Sequence, residues 1–284
     1  MRENPDRTAG DRHMTYKAPR GTRDVLPEES WKWQRVERVF RATADRFVYR
    51  EIRLPVFEET ELFARGIGDA TDIVRKEMYT FTDRKGRSLT LRPEGTAGVV
   101  RSFIEHNMGR GSRLTKLYYF CPMFRYERPQ AGRYRQFWQW GLEAIGSMNP
   151  AVDAEIIHFS VNLFESLGLA GVEARINSAG CPTCTPSYNE LLRNRLAGSL
   201  DQFCADCQVR YERNPRRMFD CKNKHCLELL KDAPSILESL CDECTQHFAS
   251  VQDLLSRMSV RSVVDTSMAR GLDYYTKTVF EVHY

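Results

Sequence analysis

Apolar residues recur at helical spacing after Pro27. Trp33, Val36, Phe40 and Phe47 are separated by three, four and seven positions and share one helix face. Glu28 and Glu29, just ahead, suit the positive end of that helix. The period then shortens. Residues 52–57 are β-prone, with Pro55 favouring an edge or a turn. Residues 79–81 and 89–91 read as two strands around the turn Asp83-Arg84-Lys85-Gly86, and 94–103 as a short helix. Residues 114–124 and 135–145 are the richest strand signals. In an extended chain alternate side chains share a face. Phe137, Gln139, Gly141, Glu143 and Ile145 then lie on one side, with Trp138, Trp140, Leu142 and Ala144 on the other. A face carrying Gln139 and Glu143 inside an aromatic strand is either solvated or the floor of a pocket. Asp153 is the expected N-cap of the following helix, whose apolar face holds Ile157, Val161 and Phe164 and which Gly168 ends. Strand-like alternation returns at Val263 and runs to Val282. Hairpin-like strands in series predict an α+β fold, an antiparallel sheet flanked by helices.

Composition narrows the class. The 284 residues are 42% hydrophobic and 28% charged, enough for a core and too apolar for a disordered chain. No apolar run approaches the roughly 20 residues that cross a bilayer, and the polar N-terminus lacks a secretory h-region. A cytoplasmic protein with no membrane partner is expected. Residues 1–14 read as a disordered leader, within which Met14 is a plausible natural start. The formal net charge of +4 is too small to imply a nucleic-acid partner by itself.

The cysteines are unevenly placed. Of 9 cysteines, Cys121 stands alone. Cys181, Cys184, Cys204, Cys207, Cys221, Cys226, Cys241 and Cys244 crowd into one stretch as three C-x-x-C pairs and one C-x-x-x-x-C pair. In a reducing compartment paired thiols serve metals or redox chemistry more often than disulfides. Two pairs complete a tetrahedral zinc shell, so one or two structural Zn2+ sites are candidates. Buried small hydrophobes, or a degenerate site, are the other readings, and spacing does not say which pairs meet. The expected organisation is a core of residues 15–177 and 263–284, interrupted by a Cys-rich insertion of residues 178–262.

Three stretches carry candidate chemistry. FRYERPQAGRYRQFWQWGLE, from Phe124, sets Arg125, Glu127, Arg128, Gln130, Arg133 and Arg135 around a hairpin loop. Arginines present planar donors suited to phosphate and carboxylate, so this is a polyphosphate cradle or a solvated basic hairpin. TLRPEGT, from Thr90, ends a strand in a turn with a carboxylate and a hydroxyl. RGLDYYT, from Arg270, combines an arginine, a glycine that permits close backbone approach, and two tyrosines. No P-loop is present, and Gly66-Ile67-Gly68 does not continue into a dinucleotide fingerprint.

Together these stretches resemble the histidyl-tRNA synthetases, class II aminoacyl-tRNA synthetases. The resemblance runs from about Tyr16 to Tyr284. It includes KAPRGTRDVLPEE, LPVFEETELFARGIGDATDIVRKEMYTF, TLRPEGT, the motif 2 stretch FRYERPQAGRYRQFWQWGLEAIG and the histidine signature RGLDYYTKTVFE. It implies ATP-dependent, Mg2+-assisted activation of L-histidine to histidyl-adenylate, then transfer to histidine tRNA, by a homodimer. By position, Arg125 and Arg270 would flank the α-phosphate as catalytic residues. Arg125, Glu127, Arg133, Arg135 and Arg270 would bind ATP. Glu94, Gly95, Thr96, Arg125, Gln139, Glu143, Arg270, Tyr274 and Tyr275 would bind histidine, with Glu143 and Tyr275 on the imidazole nitrogens. Arg128 and Gln130 would approach the tRNA acceptor end, and the insertion's basic residues could meet RNA phosphates. The family continues past this signature into motif 3 and an anticodon-binding domain, so a fragment of a longer enzyme is expected. The alternative is a non-catalytic, histidine-binding regulatory paralog of the ATP phosphoribosyltransferase type. Retention of Arg125, Arg133, Glu143, Arg270 and the insertion argues against it.

Overall fold

The computed structural model describes residues 16–67, 71, 73–111, 113–130, 132–268 and 275–284. Helix α1 (Pro27–Arg46) starts on a proline, whose missing N–H is no loss in a first turn, and buries Phe40, Thr43 and Ala44. The centre of the fold is a hairpin of β5 (Thr115–Phe124) and β6 (Gln136–Ile145), paired antiparallel along its whole length from Thr115↔Ile145 to Phe124↔Gln136. The short β1 (Arg50–Glu51) joins β5 in parallel.

The two faces of this hairpin have different partners, as the alternation predicts. On the even-numbered face Phe40 stacks on Trp140 at 5.5 Å and meets Tyr118 and Phe159 edge-on at 5.3 and 5.9 Å. That layer joins α1 to α4 (Pro150–Ser166). On the odd-numbered face Leu117, Tyr119 and Met123 pack against Val99 of α3 (Thr96–Glu105). A second sheet lies beyond, with β4 (Ser88–Leu91) between β2 (Phe57–Glu59) and β3 (Tyr79–Thr82), and with α2 (Thr60–Ile67) beside it. In the third sheet β7 (Glu173–Gly180) lies between β8 (Ser262–Val264), parallel to it, and β9 (Lys277–His283), antiparallel. The result is the expected antiparallel-rich α+β fold, arranged as three short sheets. Among the described residues β6 and β9 are sheet edges.

Two local expectations need correction. The β-prone stretch 52–57 is not one strand; β1 precedes it and β2 starts at its last residue. The reason is Arg92, 4% exposed, whose guanidinium donates to the carbonyls of Leu54, Pro55 and Pro122 at 2.8–2.9 Å. The Leu54 and Pro55 carbonyls thus have a side-chain donor and need no ladder partner. The N-cap of α4 is Asn149, not Asp153. Asn149 Oδ1 accepts from the Ala151 N–H at 2.9 Å with Pro150 next in line. Asp153 instead receives His247 Nε2 at 2.8 Å.

The Cys-rich stretch folds into α5 (Cys184–Leu196), α6 (Ala205–Arg213), α7 (Lys224–Leu229) and α8 (Asp242–Arg257), joined by 3-10 turns. Helix α8 behaves differently from the rest. Its Phe248, Val251 and Leu255 share a core with Ala154, Ile157 and Val161 of α4 and with Ala174 and Ile176 of β7. No described helix is long and apolar enough to cross a membrane.

Candidate active site and cysteine clusters

The site is built on the odd-numbered face of β6. Tyr119 lies opposite Gly141 in the register, 2% exposed. Its ring fills the space over Gly141 and under Gly95, so that a Cβ on either glycine would overlap it. The absence of side chains at 95 and 141 is therefore what lets the 93–96 turn close onto the strand. That turn is pinned from both ends. Both carboxylate oxygens of Glu94 accept backbone N–H groups, from Thr96 at 2.6 Å and Ala97 at 2.9 Å, satisfying the orphan donors that open α3. Arg125 Nε donates to the Pro93 carbonyl at 2.9 Å, with its guanidinium 5.1 Å from the Phe137 ring centre.

Thr96 Oγ1 donates to Glu143 Oε1 at 2.8 Å. Burial pushes the Glu143 carboxyl up to about 7; the Thr96 bond opposes this and the nearby Glu94 charge adds to it. Burial, with Glu143 and Glu94 nearby, likewise raises the Tyr119 phenol. Gln139 Oε1 is buried with no partner in the described structure, a costly state for a polar atom unless a ligand meets it. Thr96, Tyr119, Gln139, Glu143 and Tyr275 are among the residues lining an opening of about 790 Å³ between β6 and β9, which also takes in Trp140 and Leu142 of the other β6 face and Phe159 and Leu163 of α4. That is ample for an amino acid.

The phosphate-cradle candidates lie along the neighbouring hairpin loop. Arg133 Nη1 is 3.0 Å from Glu127 Oε2 in a half-exposed ion pair. Gln130 and Arg133 exchange backbone hydrogen bonds at the loop tip, where Gly132 takes φ +78°. Arg128 and Gln130 are exposed. Arg135 has local partners: it lies 4.0 Å from the Tyr126 ring centre, and its Nε donates to the Glu127 carbonyl. Arg270 and Tyr274 fall outside the described residues. The structure thus brings Thr96, Gln139, Glu143 and Tyr275 to one cleft, while Gly95 packs on Tyr119, Glu94 caps the start of α3 and Arg125 is tied to the same turn through the Pro93 carbonyl. Tyr119 and Arg92 escaped the sequence reading. Tyr119 becomes visible only through its register with Gly141.

The eight clustered cysteines sort into two groups of four, Cys181, Cys184, Cys241 and Cys244, and Cys204, Cys207, Cys221 and Cys226. Within each group all sulfurs lie within 4.8 Å of one another, and none is in a disulfide. Cys181 Sγ is 3.5 Å from Cys184 and 3.8 Å from Cys241, and Cys204 Sγ is 3.8 Å from Cys221. Four sulfurs about 2.3 Å from a tetrahedral zinc would stand roughly 3.8 Å apart, so the donor set fits that ion. Backbone N–H groups already point at the sulfurs: Cys241 at Cys184, Cys204 at Cys226 and Asn223 at Cys221, at 3.2–3.4 Å. The Cys184 backbone N–H holds the Cys181 thiol down at about 6. Burial pushes Cys184 and Cys226 up.

The family model described as "Histidyl-tRNA synthetase" matches residues 21–284. The histidine–tRNA ligase of Halothermothrix orenii is 53% identical over 271 residues, covering 95% of this chain and 65% of that protein. The histidine–tRNA ligase of Caldanaerobacter subterraneus is 52% identical over 269 residues, covering 95% and 64%. The chain thus spans under two thirds of the length of these relatives. The crystal structure of apo S. aureus histidyl-tRNA synthetase superposes with a TM-score of 0.75 at 41% identity, covering 94% of this chain and 61% of that one. A Bacillus halodurans structure described as an ATP phosphoribosyltransferase regulatory subunit/histidyl-tRNA synthetase has a TM-score of 0.69 at 21% identity and shares the fold.

Proposed function

The chain belongs to the histidyl-tRNA synthetase family, and from that premise we propose that it carries the amino-acid-activating part of a histidine–tRNA ligase. The observation that carries this reading is the cleft that brings together Gln139 and Glu143 of β6, Thr96 at the start of α3 and Tyr275 just ahead of β9. Imidazole has one N–H to donate and one nitrogen to accept. Glu143 accepts from the first, and the Tyr275 hydroxyl donates to the second. Gln139 Oε1 meets the α-ammonium together with Glu94 and Thr96. A site whose buried polar groups need these partners discriminates against side chains without them.

In the activation step a histidine carboxylate oxygen bonds to the α-phosphorus of ATP, and the bond to the bridging oxygen breaks as pyrophosphate leaves. Arg125, tethered to the turn that grips the ammonium, aligns the carboxylate with the phosphate and offsets the developing negative charge. Arg270 offsets it from the other side. Glu127 meets the adenine, Arg133 the outer phosphates with their Mg2+, and Arg135 supports the loop. Arg128 and Gln130 face the acceptor end of histidine tRNA. A homodimeric, cytoplasmic enzyme with zinc in its insertion completes the reading. The insertion proper is residues 178–262, although α8 shares the core of the body. Relatives about 50% identical are named histidine–tRNA ligases, which disfavours the regulatory-paralog alternative.

The test is histidine-dependent exchange of pyrophosphate into ATP by the full-length gene product. Exchange that requires histidine and is mostly lost in Arg270→Ala, with histidine affinity retained, supports the reading. Histidine binding with no exchange would favour the regulatory paralog.

A further inference from the structure

Cys181 and Cys184 follow β7, and Cys241 and Cys244 open α8, so this group joins the two points where the insertion leaves and rejoins the body. Lys277, the first residue of β9, lies against it. Its side chain is only 8% exposed. Its φ is +61°, a left-handed conformation that a Cβ disfavours. Its Nζ donates at 2.6 Å to Glu243 Oε1, on the residue preceding Cys244. The Glu243 side chain is 81% exposed, and exposed ion pairs contribute little. A buried, strained lysine is a poor exchange for such a pair alone. It is well placed if a stronger negative charge sits beside it, and four thiolates around a divalent zinc carry a net charge of two minus.

Lys277 is also fastened to the end of β7. The Ser178 hydroxyl donates to its carbonyl at 3.2 Å, and it pairs with Gly180 after a register irregularity. Tyr275, in the cleft, is two residues upstream.

We propose that Cys181, Cys184, Cys241 and Cys244 hold a zinc ion at the neck of the insertion, with Lys277 as its outer-shell cation, and that this clasp positions the start of β9 and with it Tyr275. Only the final step, from Tyr275 to ligand affinity, rests on the reading of the cleft as a histidine site. Lys277 is a positioning residue, acting on the cleft through the strand it begins. The other group, Cys204, Cys207, Cys221 and Cys226, packs with Leu196, Phe203, Met218 and Leu230, all within the insertion. A zinc ion there serves the insertion's own small core and leaves β9 alone.

The experiment uses the 284-residue chain purified without chelator. Elemental analysis should find two zinc ions per chain, and cobalt(II) substitution should give a tetrathiolate spectrum. Cys241→Ser and Cys226→Ser should each retain one zinc. Hydrogen exchange of the β9 amides should accelerate in Cys241→Ser and stay at the wild-type rate in Cys226→Ser. Histidine affinity should fall about tenfold in the first variant alone. Lys277→Met keeps every thiol, so it tests the same link without removing a ligand. It should weaken zinc at the neck by about tenfold, the usual lower bound for an outer-shell partner, and speed β9 exchange; Lys277→Arg should restore both. Fewer than two zinc ions in the wild type, or β9 exchange indifferent to which site is emptied, would overturn the proposal. Two zinc ions with a selective β9 response and no histidine binding would uphold the clasp and contradict the proposed function.

Discussion

Thr96 Oγ1 donates to Glu143 Oε1 at 2.8 Å, joining the first residue of α3 to the last third of β6. The carboxyl held there titrates near 7, well above its ordinary 4.5. Between those values the folded chain keeps a proton that the unfolded chain releases, so stability from this group falls as pH rises from about 4.5 to 7 and is flat above. The full effect is on the order of 3 kcal/mol. Glu143→Gln keeps an acceptor for Thr96 and cannot ionise. It should melt above wild type at pH 8 and at parity near pH 4.5, and it should lose histidine binding. Melting curves that stay parallel across this range would contradict the buried, proton-retaining carboxyl.

The Tyr119 ring fills the space that side chains at Gly95 and Gly141 would need. Gly141→Ala should therefore destabilise by about 1–3 kcal/mol, the usual range for overpacking. In a Tyr119→Ala background the same change should be nearly neutral. A denaturant double-mutant cycle should give a coupling above about 0.5 kcal/mol; additive effects would mean the ring does not set the glycine requirement.

Much of this site was legible in the sequence, and the boundary is physical. Strand parity alone puts Gln139 and Glu143 on one face, because a two-residue period is a property of any extended chain. Tyr119 was not legible, since its role depends on which residue of β6 faces it. The cysteine groups were not legible either. Cys181 and Cys184 meet Cys241 and Cys244 only after β7 and α8 pack on α4. Residues 52–57 misled for a related reason: the donor that satisfies their carbonyls, Arg92, is about forty residues away in sequence.

The cap of α4 gives a third test. Asn149 and Asp153 are both capping residue types, and Pro150 was the signal that selects Asn149. Asn149→Ala should lower stability by about 1 kcal/mol, measured by urea unfolding. Asn149→Asp should retain most of it, because its carboxylate also accepts from the Ala151 N–H. A larger loss from Asn149→Asp than from Asn149→Ala would contradict the cap assignment.

Arg133 is half exposed in its pair with the largely covered Glu127, so solvent screens the pair and its contribution to stability is small, about 1 kcal/mol or less. Arg133→Ala should leave the melting temperature nearly unchanged while slowing histidine-dependent pyrophosphate exchange by roughly a hundredfold. A large drop in melting temperature with normal exchange would make Arg133 a structural residue and remove it from the phosphate cradle.

Histidine is assigned to the cleft between β6 and β9. Calorimetric titration of L-histidine into the zinc-loaded chain tests it most directly. One saturable site per chain is expected, lost in Glu143→Gln, weakened in Gln139→Ala and closed to L-lysine. No saturable binding, or binding indifferent to both substitutions, would contradict it.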